Sequence, residues 1–413
     1  MSDTIEVATF GCRVNIAESE IIRQQAAASG LGAAYIVNSC AVTGEAVRQA
    51  RQSIRRAFRA DPHRPIIVTG CAAQIEPQSF AAMPEVARVI GNRDKLVADT
   101  YHPAAAQRVS VSDVFGAHQM EAPVLSRIAG HTRGFVQVQS GCDHRCTFCV
   151  IPFGRGASQS LAPGTVVAAV RRFVVAGARE VVLTGIDLAS YGEDSGGMRL
   201  GGLVRLILEA CADLPRLRLS SLDCIDMDEE LIALFDAEER LMPSLHLSLQ
   251  SGADLVLKRM KRRHKRADAI ALCQSLKRRR PELVVSADII AGFPTETDEH
   301  FAQSLALIDE CVLDRVHAFA YSPRPGTPAA RMPQVDAGVI KERATRLRSA
   351  SDAAWQACLV RHVGSQQNTL VERGGIARTR GGLPVVSIGE PGTFVTMRIT
   401  GHDGTQLQGI ATC

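Results

Sequence analysis

The amino-acid sequence predicts an α/β protein in three parts: a parallel α/β sheet domain, then a barrel or partial barrel of six βα units, then a small all-β module. Three observations carry this expectation. Short β-like runs alternate with helical ones up to about Ile90, a second α/β series begins near Phe135, and the helical pattern stops after about Arg361. At 413 residues the chain exceeds what one hydrophobic core usually organises. The expected boundaries are 1–100, a linker at 101–126, 127–360 and 361–413.

In the first part, strands are expected at 5–10, 34–38 and 66–69, with helices at 16–30 and 45–59 between them. Around Val47, Ala50, Ile54 and Phe58 the apolar residues recur at helical spacing, and Arg48, Arg51, Arg55 and Arg59 fall on another face. Cys12, Cys40 and Cys71 each follow one of the three strands. A parallel sheet would therefore carry all three to its carboxyl edge, where open α/β sheets place ligands. The polar, Pro-containing runs at 101–103 and 121–123 read as linker.

The second series has candidate strands at 135–139, 180–184, 216–221, 244–250, 283–290 and 315–321, with helical segments between most of them. The last part shows short β-like runs at 368–371, 384–388 and 393–399, separated by Gly-rich turns.

Composition excludes several classes. With 46% hydrophobic and 22% charged residues the chain is neither disordered nor a small disulfide scaffold. A formal net charge of +4 is too small to identify a polyanionic partner. The amino terminus lacks a basic region followed by an apolar one, and no run of 18 apolar residues occurs, so a soluble, cytoplasmic protein with no membrane partner is expected. In that compartment the 12 cysteines are better read as metal ligands or catalytic thiols than as disulfides. Neither a P-loop nor an H-E-x-x-H motif is present.

The strongest chemical signal is Gly141-Cys142-Asp143-His144-Arg145-Cys146-Thr147-Phe148-Cys149. Three thiolates on one short loop can hold three irons of a 4Fe-4S cluster and leave the fourth open to a reactive ligand. Zinc with His144 as a fourth ligand is the rival, although no second cysteine knuckle exists. Three buried small hydrophobes are the bland alternative, which the interleaved Asp, His and Arg argue against. Cys211, Cys224, Cys273, Cys311 and Cys358 fit no cluster spacing and read as buried small residues, and Cys413 as a terminal thiol.

This loop resembles the hallmark of the radical S-adenosylmethionine superfamily. The resemblance implies that Cys142, Cys146 and Cys149 hold a 4Fe-4S cluster whose open iron is chelated by S-adenosylmethionine. It implies cofactor contacts at Phe148, at Thr184, Gly185 and Ile186, at Ser220 and Ser221, and at Gln250 and Ser251. The runs TFGCRVNIAESE, VNSCAVTGEA, VTGCAAQ, SGCDHRCTFCVIPFGRG, VLTGIDLASYGED, SLQSGADLVLKRM, DIIAGFPTET and YSPRPGTPAARM further resemble the methylthiotransferases and cover nearly the whole chain. That family places a three-cysteine α/β domain before the radical barrel and a small β-barrel called TRAM after it. Cys12, Cys40 and Cys71 would then hold a second 4Fe-4S cluster that binds or donates the inserted sulfur.

Gly11-Cys12-Arg13-Val14-Asn15 is similar to the branch that methylthiolates carbon 2 of N6-threonylcarbamoyladenosine beside the tRNA anticodon. The isopentenyladenosine branch usually has Gln-Met-Asn after this cysteine, and the branch acting on a ribosomal-protein aspartate has Pro-Lys-Asn. The implied partners are a tRNA anticodon stem-loop, an electron donor of the flavodoxin or ferredoxin type and an unassigned sulfur donor. A non-catalytic iron-sulfur RNA-binding or sulfur-carrier protein is the alternative from another class. Asp223 stands where relatives often have Glu.

Lys258, Arg259, Lys261, Arg262, Arg263, Lys265 and Arg266 form a run expected to self-repel unless phosphates or acids neutralise it, and residues 277–280 add a second basic block. Aromatics are scarce, at 4%, which favours recognition of a folded RNA loop by shape and phosphate contacts over many stacking platforms.

Overall fold

A computed structural model describes residues 4–105, 107–116, 120 and 124–412. The chain divides into two compact units, one from Met1–Leu125, Gln139–Arg145 and Cys149–Leu161, the other from Ser126–Val138, Cys146–Phe148 and Ala162–Cys413. The expected linker run 121–123 and Cys413 lie outside the described residues.

The first unit is built on a parallel sheet in the spatial order β1 (Ile5–Thr9), β2 (Ala34–Ser39), β3 (Ile66–Gly70), β4 (Arg88–Ile90), β5 (Val109–Ser110). Every residue of β2 and β3 is buried, which only a sheet covered on both faces requires. Helix α1 (Arg13–Ala28) supplies Ile22 and Ala26 to one layer, against Ile36 and Ile67. Helix α2 (Gly44–Ala60) supplies Val47, Ala50 and Ile54 to the other, against Val37 and Val68. Its first turn is capped by Thr43, whose hydroxyl accepts from Ala46 N–H at 3.1 Å. Short helices α3 (Cys71–Ile75) and α4 (Pro77–Ala81) follow β3.

Two strands of this sheet escape the sequence patterns. β4 and β5 are 3 and 2 residues long, below the length at which alternation can be read. Part of the stretch expected as linker thus adds an edge strand to the sheet.

The second unit begins its sheet with β6 (Gly134–Gln137). The chain then contributes β7 (Gln139–Ser140), helix α5 (Ile151–Arg155) and β8 (Gln159–Ser160) to the first unit, where β7 and β8 pair antiparallel. The remaining parallel strands are β9 (Glu180–Thr184), β10 (Arg216–Leu219), β11 (Ser221–Leu222), β12 (Ser244–Gln250), β13 (Val284–Ala291) and β14 (Arg315–Ala320). They run β6-β9-β10 and then β11-β12-β13-β14. β10 and β11 are one expected strand interrupted at Ser220, so the six βα units form a partial barrel that turns at this residue. On β12, Leu245, Leu247 and Leu249 are buried and the alternate residues only half-buried, the period-2 pattern of a strand with two different faces. Helices α6 (Pro163–Val175), α7 (Leu200–Ala210), α8 (Glu229–Ala237), α9 (Asp254–Met260), α10 (Arg266–Arg279), α11 (Asp298–Glu310) and α12 (Ala337–His362) complete the layer.

The last module is a closed barrel of β15 (Gln366–Val371), β16 (Ile376–Thr379), β17 (Pro384–Val386), β18 (Phe394–His402) and β19 (Leu407–Ala411). Three of these were expected from the sequence. Its core of Val385, Met397, Ile399 and Leu407 continues into Trp355, Cys358 and Leu359 of α12.

This barrel is pinned to the amino ends of the parallel strands. Glu180, the first residue of β9, is fully buried and paired with Arg218 at 2.7 Å, Arg133 at 3.6 Å and Arg216 at 3.8 Å. The arginines in turn reach Arg380 O, Glu372 and Asn368 O at 2.9, 2.6 and 2.8 Å. Burial would raise the Glu180 pKa, but the surrounding guanidiniums outweigh it and hold it at about 2.

Cys211, Cys224, Cys273, Cys311 and Cys358 are all buried, as expected of small core residues. No helix among the described residues is long and apolar enough to cross a membrane.

Candidate functional site

The carboxyl edge of the first sheet gathers three cysteines from distant sequence. Cys12 caps α1 after β1, Cys40 follows β2, and Cys71 opens α3 after β3. Close approach depends on glycine at two turns. Gly11 has φ +106°, and a Cβ there would lie 2.7 Å from Cys40 Cβ and 2.8 Å from its Sγ. Gly70 has φ +94°, and a Cβ there would lie 2.3 Å from Ser39 O. Asn15 ties the turns together, its Nδ2 donating to Phe10 O at 2.7 Å and Ser39 O at 3.3 Å.

The thiols are electrostatically aware of one another. Burial pushes Cys40 up to about 11, and the charges of Cys71 and Cys12 add to that push. Cys12 is exposed, yet desolvation by the chain around it still outweighs the Arg155 guanidinium and raises its thiol, with Cys71 contributing. Desolvation of Cys40 and Cys12 beside other thiols is a poor resting arrangement for free cysteines. The three are a good donor set for a cation, which removes the protons and neutralises the charge. Val42 N–H donates to Cys40 Sγ at 3.4 Å, the kind of backbone contact that suits a metal-bound thiolate.

A buried polar network backs this edge, and no sequence pattern announced it. Arg155, from α5, donates through Nε to Cys71 Sγ at 3.2 Å, through Nη1 to Glu18 at 2.7 Å and through Nη2 to Asn15 Oδ1 at 2.8 Å. Lys95 Nζ reaches Glu18 at 2.7 Å. Asn92 Nδ2 donates to Gly154 O at 2.7 Å and approaches Cys71 Sγ at 3.5 Å. Burial would raise the Glu18 carboxyl, but Arg155 and Lys95 outweigh it and hold it at about 2. The only available sequence signal was weak, namely polar residues on the inward face of α1 and an arginine between two glycines at 154–156.

The second triad lies on the loop 141–149. Gly141 has φ +73°, and a Cβ there would lie 1.8 Å from Ala157 O, so only glycine permits the turn. Cys142 N–H donates to Gly156 O at 3.2 Å, and Ile151 N–H donates to Cys149 Sγ at 3.4 Å, repeating the contact made at Cys40. In the second unit Thr147 is anchored by Met260 O at 3.0 Å and, through its hydroxyl, by Arg259 O at 2.8 Å. Arg262 Nη1 lies 3.9 Å from Cys146 Sγ. The half-buried thiols and these N–H donors fit a thiolate-ligated cluster.

The positions implied for S-adenosylmethionine lie at carboxyl ends of the second unit's strands, but they differ in availability. Ser220 interrupts the strand between β10 and β11, is buried, and its hydroxyl has no hydrogen-bond partner among the described residues. An orphaned buried donor of this kind awaits a ligand or water. Gln250 takes φ +68° at the end of β12, where the pairing with β13 shifts register, and is half-buried. Thr184 ends β9 and is buried, Gly185 and Ile186 are half-buried after it, and Ser221 is exposed. Ser251 is occupied structurally, its hydroxyl accepting from Ala253 N–H at 3.2 Å and meeting Ser304 Oγ at 3.4 Å. Phe148 packs edge-on to Phe293, with ring centroids 6.3 Å apart.

The basic run does not form a free stripe. Arg262 pairs with Asp223 at 2.6 Å and donates to Ser248 O at 2.7 Å, and Arg263 and Arg266 pair with Asp226 and Glu310. In the second block Lys277 pairs with Asp314 at 2.7 Å, Arg279 with Asp236 at 3.1 Å and Arg280 with Glu282 at 2.9 Å. Acids thus neutralise three of the seven charges in the first run and three of the four in the second, all but Glu282 distant in sequence. Burial would raise the Asp223 carboxyl, but His264 and Arg262 hold it at about 2.

Comparison with known proteins agrees with this architecture. The profile described as Radical SAM superfamily matches residues 136–308, and that described as Uncharacterized protein family UPF0004 matches residues 4–91. The chain is 47% identical over 381 residues to the threonylcarbamoyladenosine tRNA methylthiotransferase MtaB of Rickettsia prowazekii, covering 92% of this chain and 90% of that protein. It is 37% identical to MtaB of Thermotoga maritima, covering 80% and 77%. It is also 37% identical to the tRNA-2-methylthio-N(6)-dimethylallyladenosine synthase of Novosphingobium aromaticivorans, covering 90% and 87%. Among solved structures, the radical S-adenosylmethionine methyltransferase TsrM of Kitasatospora setae, with cobalamin and a [4Fe-4S] cluster bound, shares the fold with a TM-score of 0.56 at 14% identity, covering 80% and 77%. The chain therefore belongs to the radical SAM tRNA methylthiotransferases, in their MtaB-type branch.

Proposed function

We propose that this protein inserts a methylthio group at carbon 2 of N6-threonylcarbamoyladenosine beside the anticodon of tRNA. The carrying observation is the pair of cysteine triads in one chain, Cys12, Cys40 and Cys71 at one sheet edge and Cys142, Cys146 and Cys149 on one loop. Each triad supplies three ligands to a 4Fe-4S cluster and leaves one iron open. Together with S-adenosylmethionine the clusters supply radical chemistry at a carbon-hydrogen bond with no acidic proton, which side-chain acids and bases cannot open.

The chain's own residues bind and orient. Ser220 offers its free hydroxyl to the cofactor, and Gln250 stands at the end of β12. Arg262 offsets thiolate charge at Cys146 while Asp223 holds its guanidinium in place. Thr147, anchored to backbone carbonyls in the last turn of α9, fixes the loop. The anticodon stem-loop of tRNA is the macromolecular partner, a flavodoxin- or ferredoxin-type protein is the electron donor, and the enzyme works in the cytoplasm.

A second reading is favoured by the dimethylallyladenosine synthase relative at 37% identity. One experiment separates the two. The anaerobically reconstituted protein is incubated with S-adenosylmethionine, reductant and tRNA carrying either modification, and the nucleosides are analysed by mass spectrometry. A methylthio adduct on threonylcarbamoyladenosine is expected. An adduct confined to dimethylallyladenosine would move the chain to the second reading, and reductive cleavage of S-adenosylmethionine with no adduct on either would remove both.

A further inference from the structure

Three ionisable side chains are buried together behind Cys71: Glu18, Lys95 and Arg155 are 3%, 0% and 7% exposed. Their formal charges do not cancel, because two cations face one carboxylate. Buried charge is tolerated when paired, and an uncompensated one is strongly destabilising. The surplus positive charge therefore needs a partner, and the geometry supplies one: the Arg155 Nε–H that Glu18 does not use points at Cys71 Sγ, 3.2 Å away. Asn92 Nδ2 approaches the same sulfur at 3.5 Å. Cys71 Sγ thus sits under two N–H donors.

The approach is built into the backbone. Gly154 lies against Cys71, where a Cβ would stand 3.2 Å from the cysteine Cβ. Gly156 takes φ +79°, and a Cβ there would lie 2.1 Å from Val114 O. Glycine on either side lets α5 press Arg155 into the sheet edge. Arg155 follows Cys149 by six positions, so the segment that carries the second triad also delivers a cation to the first.

We propose that Arg155 is a positioning residue that sets the reduction potential of the cluster held by Cys12, Cys40 and Cys71, with Asn92 assisting; this rests on those cysteines holding a cluster. Hydrogen bonds and positive charge at a ligand sulfur stabilise the more negative, reduced state and raise the potential. Glu18 and Lys95 keep the guanidinium in register.

The test uses the full-length protein loaded anaerobically with iron and sulfide, as the parent and as Arg155→Lys, which keeps the charge beside Glu18 but removes the Nε donor. Iron content is read first. About eight irons in the parent uphold the ligand assignment, whereas about four mean that the assignment itself has failed, whatever the variant does. An EPR-monitored redox titration follows, with the amino-terminal signal assigned by its absence from the Cys12/Cys40/Cys71→Ala variant. At the parent midpoint the reduced-to-oxidised ratio of this cluster should fall about tenfold in Arg155→Lys, a shift of about 59 mV for one electron, with the other cluster unmoved. An unchanged midpoint at full iron content, or an equal shift in both clusters, would overturn the proposal. If Arg155→Lys does not load, Asn92→Ser carries the test, since it removes the other donor and leaves every charge in place. The same downward shift is expected, and an unchanged midpoint overturns the proposal.

Discussion

Glu180 and Arg218 form a buried ion pair, 2.7 Å apart, at the amino end of the parallel strands, and the same arginine donates to Arg380 O in the carboxyl-terminal barrel. Replacing Glu180 by Gln leaves the buried guanidiniums of Arg216 and Arg218 without their carboxylate, while Arg133 keeps Glu372. Breaking such a site costs about 3–5 kcal/mol, which denaturant unfolding at neutral pH should detect.

The same group gives the protein an acid limit. Glu180 has its pKa lowered from 4.5 to about 2 in the fold, so between those values the unfolded chain binds more protons. Its contribution is complete above about pH 4.5 and is lost as pH falls toward about 2. Unfolding free energy measured on the metal-free protein across that window should decline for the parent and decline less for Glu180→Gln.

Gly11→Ala tests the turn that brings Cys12 to Cys40. Its φ of +106° is strained for alanine, and the added methyl would collide with the Cys40 side chain. Iron in the reconstituted protein should fall from about eight to about four per chain while reductive cleavage of S-adenosylmethionine persists. Retention of all the iron would show that the turn can relax.

Arg262→Gln probes the other cluster. It removes the cation near Cys146 Sγ and the partner of buried Asp223. Groups behind a metal ligand typically change metal affinity by about 10–100-fold, so iron at Cys142, Cys146 and Cys149 should be lost correspondingly faster to a chelator. Iron at the amino-terminal triad should leave at the parental rate.

Ser220→Ala separates ligand binding from stability. The hydroxyl has no partner among the described residues, so its removal should leave unfolding within about 0.5 kcal/mol of the parent. Calorimetric binding of S-adenosylmethionine to the reconstituted protein should weaken by one hydrogen bond, about 0.5–1.5 kcal/mol or roughly 2- to 10-fold. Unchanged binding would show that another group meets the cofactor.

Much of this architecture is legible in the linear order of residues because its signals are local. Apolar runs such as Ile36-Val37 and Ile66-Ile67-Val68 mark central buried strands, and the spacing of Val47, Ala50 and Ile54 marks a helix face. The loop from Cys142 to Cys149 carries three of the proposed ligands within one turn of chain, so its chemistry needs no folding to be recognised. The short strands β4 and β5 and the barrel strands β16 and β19 escape the sequence pattern because 2 to 5 residues carry too little periodicity.

Other features depend on contacts between residues far apart in the chain, and no local pattern encodes those. Seven basic residues between Lys258 and Arg266 look like a phosphate-binding stripe until Asp223, Asp226 and Glu310 close on three of them. Glu18 and Lys95 look like ordinary surface residues, and lie 77 positions apart before the fold buries them as a pair. Arg155 meets Cys71 across 84 positions. Residue types and spacing identify which groups can do the chemistry. The charge and hydrogen bonds that tune those groups arise only when packing removes water and leaves each buried ion to find a partner.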